Sequence, residues 1–195
     1  PSRQFDISKI DFDLLSREFA HTRRKNLLLR DLDELVNQQL AKMLFANPQR
    51  IDYYDRYQEI IDAYNAEQNR ATIEKTFMDL MELASSLDTE QQRYVREGFS
   101  SDEELSVYDL LFSENLTKQE IETIKKVSVD LLTKIKQQIA KLDHWTDKQE
   151  TKAIVDNLIR NTLWQELPNS YDVNDIQTYQ KKIYEYVYMR YPEVA

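Results

Sequence analysis

Two histidines, His21 and His144, are available for chemistry in this chain. Glu18 and His21 stand at the Glu-x-x-His spacing that puts a carboxylate and an imidazole on one face of a helix, as di-metal bundles use. Such a centre needs the motif on two helices and a carboxylate from each of two more. His144 is preceded at that spacing by Lys141, so the second half is missing. The Glu18–His21 match reads as coincidence at a helix end. Cysteine is absent, which excludes disulfides, thiolate metal sites and cysteine nucleophiles. No Gly-x-x-x-x-Gly-Lys loop exists to cradle phosphates. No serine carries the glycines of a nucleophile elbow. The carboxylates are read as members of the i,i+4 charge patterns of solvated helix faces. On this reading the chain has no catalytic, cofactor-binding or metal-binding residue.

Three clusters are suited to contact rather than catalysis. Arg23, Arg24 and Lys25 form the densest basic run, a candidate for touching phosphate or a partner's carboxylates. From Ser100 to Asn115 the chain holds Asp102, Glu103, Glu104, Asp109 and Glu114 with no Lys or Arg, a candidate acidic docking surface. Several of these acids stand at a helix start, where negative charge is favourable in any case. Tyrosine crowds the end of the chain at Tyr171, Tyr179, Tyr184, Tyr186, Tyr188 and Tyr191. Tyrosine joins a large apolar ring to a polar tip and is common at interfaces. Helical spacing puts Ile176, Tyr179, Ile183, Tyr186 and Val187 inward. Tyr184, Tyr188, Arg190 and Tyr191 then fall roughly opposite and are the candidate partner contacts.

These clusters must be carried by helices. Apolar residues recur at three and four positions throughout. Phe12, Leu15 and Phe19 predict a first helix from Asp11, and Leu28 to Leu44 a longer second one that Asn47-Pro48 ends. Ile51, Tyr54, Tyr57, Ile61 and Tyr64 predict a third. Ile73, Phe77, Leu80, Met81, Ala84 and Leu87 predict a fourth. Asp88-Thr89-Glu90-Gln91, Ser101-Asp102-Glu103-Glu104, Thr117-Lys118-Gln119-Glu120 and Thr146-Asp147-Lys148-Gln149 each resemble a helix start with capping-box spacing. Ile154, Leu158, Ile159, Thr162 and Leu163 are the expected inner face of the penultimate helix. The last helix is expected from near Asp172 to Pro192. The fold predicted is all-α, an irregular bundle of eight or nine helices without significant sheet.

Glycine use supports this. One glycine, Gly98, occurs in 195 residues, whereas turn-rich β-proteins and nucleotide-binding loops depend on its positive φ. Gly98 is expected as the left-handed residue closing a helix. The segment from Gly98 to Ser101 is the most plausible seam, dividing the domain 1–195 into sub-bundles 1–98 and 99–195. The formal charge of −9 opposes general binding to nucleic acid, so any DNA contact should be weak or indirect. No apolar run approaches the roughly 20 residues needed to cross a bilayer. A cysteine-free chain without a signal peptide suits the cytoplasm. The start at Pro1 suggests a piece of a longer protein.

The ordered residues resemble a specific family. Lys25-Asn26-Leu27 leads into Leu32, Leu35 and Leu40. Tyr64-Asn65-Ala66 precedes Ile73-Glu74 and Leu80-Met81-Glu82-Leu83. Glu97-Gly98-Phe99-Ser100 precedes Glu103-Glu104-Leu105 and Tyr108-Asp109-Leu110-Leu111. Leu167-Pro168, Tyr171, Tyr179, Lys182, Tyr184, Val187-Tyr188 and Tyr191-Pro192 close the set. Together they resemble the C-terminal region of the restriction (R) subunit of type I restriction-modification enzymes, the HsdR family. The resemblance implies a parent protein with a nuclease domain and two ATPase motor domains using ATP and Mg2+. It implies that the helical region serves assembly with the modification (M) and specificity (S) subunits. None of the family's catalytic motifs falls on this sequence, so the implied role is assembly without catalysis or cofactor. The residues alone also admit a free-standing helical adaptor, or a helical enzyme using unrecognised carboxylates.

Overall fold

A computed structural model describes residues 9–193. Among these it contains nine α-helices and no strand. The chain divides into two compact units, Pro1–Arg93 and Tyr94–Ala195. Gly98 and Ser101, where the sequence suggests a seam, lie within the second unit.

The first unit comprises α1 (Phe12–His21), α2 (Lys25–Ala46), a 3-10 turn (Pro48–Arg50), α3 (Ile51–Ala66) and α4 (Arg70–Gln91). Asp11 caps α1, accepting from the Leu14 N–H at 2.9 Å. Asn47 is buried and accepts from the Gln49 N–H, with Pro48 opening the 3-10 turn. Both follow from the N-terminal chemistry of helices. α4 is the centre, packing against both α2 and α3. Leu32, Val36, Leu40 and Met43 of α2 meet Phe77, Leu80, Ala84 and Leu87 of α4 in the core. Phe19 of α1 stacks on Phe77 with ring centroids 3.7 Å apart. Burying each such side chain contributes about 1.5–3 kcal/mol.

Two expectations fail in this unit. Asp88-Thr89-Glu90-Gln91 does not open a helix; α4 runs through it to Gln91. The Thr89 hydroxyl donates back to the Ser85 carbonyl at 3.1 Å, and Glu90 is drawn inward by arginine. Its carboxylate accepts from Arg50 Nε at 3.1 Å and from Arg93 Nε at 3.0 Å, with the Arg50 and Glu90 side chains only 3% and 7% exposed. The face of α3 is also rotated. Tyr57 is buried with Tyr53, Ile60, Ile61 and Tyr64 beside it, whereas Ile51 and Tyr54 are exposed.

The second unit comprises α5 (Arg93–Arg96), α6 (Asp102–Leu111), α7 (Lys118–Ile139), α8 (Gln149–Glu166) and α9 (Val173–Arg190). α6 packs on α7, α7 on α8, α8 on α9, and α9 returns to α6, so four helices close around one core. Gly98 has φ +84. The Phe99 N–H reaches the Tyr94 carbonyl at 2.9 Å and the Gly98 N–H the Val95 carbonyl at 3.1 Å, the paired bonds of a Schellman turn. Thr117 and Glu120 form a complete capping box. At Ser101 the box is shifted: its hydroxyl caps the Glu104 N–H, but the Glu104 carboxylate accepts from the Ser100 N–H at 2.8 Å. Thr146 does not cap α8, which starts at Gln149 after an uncapped Lys148. Thr151 instead donates to the Trp145 carbonyl at 2.7 Å. Ile154 is exposed and Val155 takes the inner position beside Ile159 and Leu163.

Candidate protein-interaction site

Asp172 and Asp175 form a capping box that fixes the start of α9. Ile176, Ile183, Tyr186 and Val187 then face the core, as their spacing predicts. The other flank of α9 is only partly open to solvent. The connection between α7 and α8 turns at His144, whose φ is 44, and delivers Trp145 against α9. Trp145 is 1% exposed and is among the largest fully buried side chains. Tyr184 and Tyr188 present edge-on contacts to its ring at 6.2 and 5.7 Å. Its indole N–H donates to the Tyr191 carbonyl at 2.6 Å.

This arrangement corrects the placement of the tyrosines. Tyr184 and Tyr191 are half-buried and packed against the core, not directed away from it. The physical reason at Tyr184 is Trp145, an apolar residue in a connection, whose burial no helical periodicity displays; the Tyr191 ring packs on Tyr186. Burial pushes the hydroxyls of Tyr184, Tyr186 and Tyr191 above the usual phenolic range. Arg190 is half-buried, and its charge partly offsets that effect at Tyr186 and Tyr191. Tyr188 is 37% exposed and the neighbouring Met189 68%. Of the four predicted contacts, Tyr188 has the most open position.

The acidic cluster and the tyrosine cluster meet in the tertiary structure. Lys136 of α7 pairs with Glu103 of α6 and lies 5.4 Å from the centroid of the Tyr191 ring. One lysine thus bridges residues 88 positions apart. Asp102 and Glu104 are half-exposed at the N-terminus of α6, and Glu104 is occupied by the Ser100 N–H.

An open groove of about 520 Å³ runs between α8 and α9. Gln149, Lys152, Asp156, Gln180, Lys181 and Tyr184 line it. The Gln180 amide donates to Asp156 at 3.0 Å. The Lys152 ammonium lies 5.9 Å from the Tyr188 ring centroid, so the groove and the exposed tyrosine are continuous. Sequence reasoning named neither the groove nor Trp145.

The basic run is split in the first unit. Arg23 and Arg24 are exposed. Lys25 is taken inward: its ammonium binds Glu74 at 2.9 Å and lies 4.8 Å from the centroid of the Phe19 ring. Bonds from Lys25 and Arg70 hold the Glu74 carboxyl below the usual carboxylate range. Lys25 is therefore a structural contact, which leaves two arginines of the expected three facing solvent.

Among the described residues no group of three or more His, Asp or Glu could hold a metal ion, and no helix is long and apolar enough to cross a membrane. The surface offers contact chemistry: a tyrosine on a buried tryptophan, a polar groove and charged rims. Residues 2–191 match the family described as type I restriction enzyme HindI endonuclease subunit-like, C-terminal. The chain belongs to this family. The family is the C-terminal region of a type I restriction enzyme subunit, and the described part of the chain consists of helices and their connections. No curated protein and no solved structure matches the chain.

Proposed function

We propose that this region is a non-catalytic assembly domain. It docks the ATP-dependent, DNA-translocating motor of the restriction subunit onto the modification and specificity subunits. Membership of the restriction-enzyme family supports the setting. The observation that carries the docking role is Tyr188. Its ring is partly open to solvent, yet it is fixed from beneath by Trp145 and borders the groove between α8 and α9. A rigid aromatic residue held in this way loses little freedom on binding, and such residues dominate interface energies. Arg190 and Tyr191 follow it at the end of α9, where Lys136 links the Tyr191 ring to Glu103 of the acidic cluster. DNA is contacted weakly or indirectly, because the chain is acidic.

The experiment is a pull-down of the modification and specificity subunits by the full restriction subunit carrying Tyr188→Ala. An aromatic anchor of this kind is worth about 2 kcal/mol or more, so assembly should weaken by tenfold or more without a change in melting temperature. Unchanged assembly by a stably folded variant rules this surface out.

A further inference from the structure

The groove between α8 and α9 is opposite in sign to the chain that carries it. Its lining holds two ammonium groups, Lys152 on the α8 wall and Lys181 on the α9 wall, against one carboxylate, Asp156. The chain as a whole carries −9. Asp156 is already engaged, because the Gln180 amide donates to it at 3.0 Å across the groove. That bond ties the two walls together, so the opening of about 520 Å³ is built before anything enters it.

The lining also has a shape that a helix fits. Two packed helices leave a channel between them into which the side-chain ridge of a third can settle. Ala153 is the smallest residue of the lining and is exposed. A side chain from outside can therefore descend beside it to the half-buried Tyr184. Tyr188 stands at the Lys152 end, its ring centroid 5.9 Å from the ammonium. A carboxylate that meets Lys152 thus brings the apolar side chains beside it onto an aromatic ring that Trp145 holds in place.

We propose that this groove seats an acidic amphipathic helix of a partner subunit. Its apolar ridge lies over Ala153, Tyr184 and Tyr188, and its carboxylates flank the ridge to meet Lys152 on one wall and Lys181 on the other. Amphipathic helices bind grooves in this way, and opposite charge across an interface steers the encounter and fixes the register. Charge selects the occupant. A basic helix would meet two ammonium groups, and a second copy of the groove would bring lysines against lysines. The chain's charge of −9 opposes nucleic acid. This inference rests on the docking role proposed for Tyr188 and adds the chemistry of what docks there.

The test uses the full restriction subunit in its purified complex. Zero-length carbodiimide coupling joins lysines to carboxylates in direct contact, and mass spectrometry reads the joined peptides. The expected result is coupling of Lys152 or Lys181 to Asp or Glu of another subunit. The variant Lys152→Glu, Lys181→Glu should then bind that subunit roughly tenfold more weakly at low salt, and the difference should shrink as salt is raised. Lys152→Gln, Lys181→Gln should show a smaller loss in the same direction, and it serves if the reversed variant melts early. Coupling that is absent or confined to the same subunit overturns the proposal, and the unmodified protein gives that result whatever the variants' stability. Unchanged affinity at low salt in stably folded variants overturns it too. A Tyr188→Ala arm separates the two readings. Assembly weakened by Tyr188→Ala but not by charge reversal leaves the docking role standing and removes the acidic helix. Assembly unchanged in Tyr188→Ala, with no coupling from either lysine, removes both. Binding of a fluorescent single-stranded oligonucleotide is measured alongside. Its loss on charge reversal, with assembly intact, makes nucleic acid the occupant and overturns the proposal.

Discussion

Trp145 and Tyr191, 46 residues apart, are joined by a hydrogen bond of 2.6 Å from the indole N–H to the main-chain carbonyl at the end of α9. The last carbonyls of a helix have no partner within it. This one is satisfied by a side chain whose ring also props Tyr184 and Tyr188. A single residue thus ends the helix and shapes the candidate docking surface.

Trp145→Ala should destabilise the second unit by about 3–5 kcal/mol, as large-to-small core changes do. Trp145→Phe should cost less, about 1–2 kcal/mol, mainly for the Tyr191 carbonyl left without its donor. Urea unfolding of the two variants measures both. Trp164 is 48% exposed, so Trp164→Phe should leave stability nearly unchanged. That variant isolates the emission of Trp145, which should be blue-shifted in the folded state and move red on unfolding.

Glu90→Ala should destabilise the first unit strongly. It would strand Arg50, whose side chain is 3% exposed, and breaking such a buried pair costs about 3–5 kcal/mol. Glu74→Ala provides the contrast. Its carboxylate is 44% exposed, with a half-buried Lys25 and an exposed Arg70 as partners, so its loss should move the unfolding midpoint far less than loss of Glu90.

Gly98→Ala tests the turn after α5. Apart from its chain neighbours, nothing lies within 4 Å of the position a Cβ would occupy, and φ is +84. The cost is therefore backbone strain alone, about 1–2 kcal/mol. Asn, which tolerates left-handed geometry better, should cost less than Ala.

Stability should hold through neutral pH and fall in alkali. Burial raises the hydroxyls of Tyr57, Tyr171, Tyr186 and Tyr191 above the phenolic range. The folded protein then retains protons that the unfolded chain releases near pH 10. With fewer protons on the unfolded state, stability declines as pH rises. The contribution is complete below about pH 10 and is lost as pH climbs toward the raised folded values. Thermal melts from pH 7 to 11.5 should show a plateau and then a fall beginning near pH 10. Tyr171→Phe should lessen the alkaline fall, and at neutral pH should lose the bond from the Tyr171 hydroxyl to the Leu111 carbonyl.

The sequence by itself determined the helical class and most helix ends. The scarcity of glycine, the 3.6-residue periodicity and the caps at Asp11, Thr117 and Asp172 are local chemistry, complete within a few residues of chain. Gly98 was legible as a helix-closing residue for the same reason. The ordered set of residues also pointed to the family. Tertiary structure decided which of two competent local options prevailed. Asp88-Thr89-Glu90 could have opened a helix, but the buried charge of Arg50 required Glu90, and α4 continued through it. Periodicity gave Tyr184 and Tyr191 an outward side; Trp145, arriving from a connection between helices, packed on the first, and Tyr186 and Lys136 took the ring of the second. Lys25 reads as basic surface until Glu74, 49 residues away, neutralises it. Ile51 has the spacing of a core residue, and the direction from which α4 approaches α3 left it exposed. In each case the decisive partner is distant in sequence. Spacing encodes which residues share a face, whereas which face is buried depends on the surfaces that pack against it.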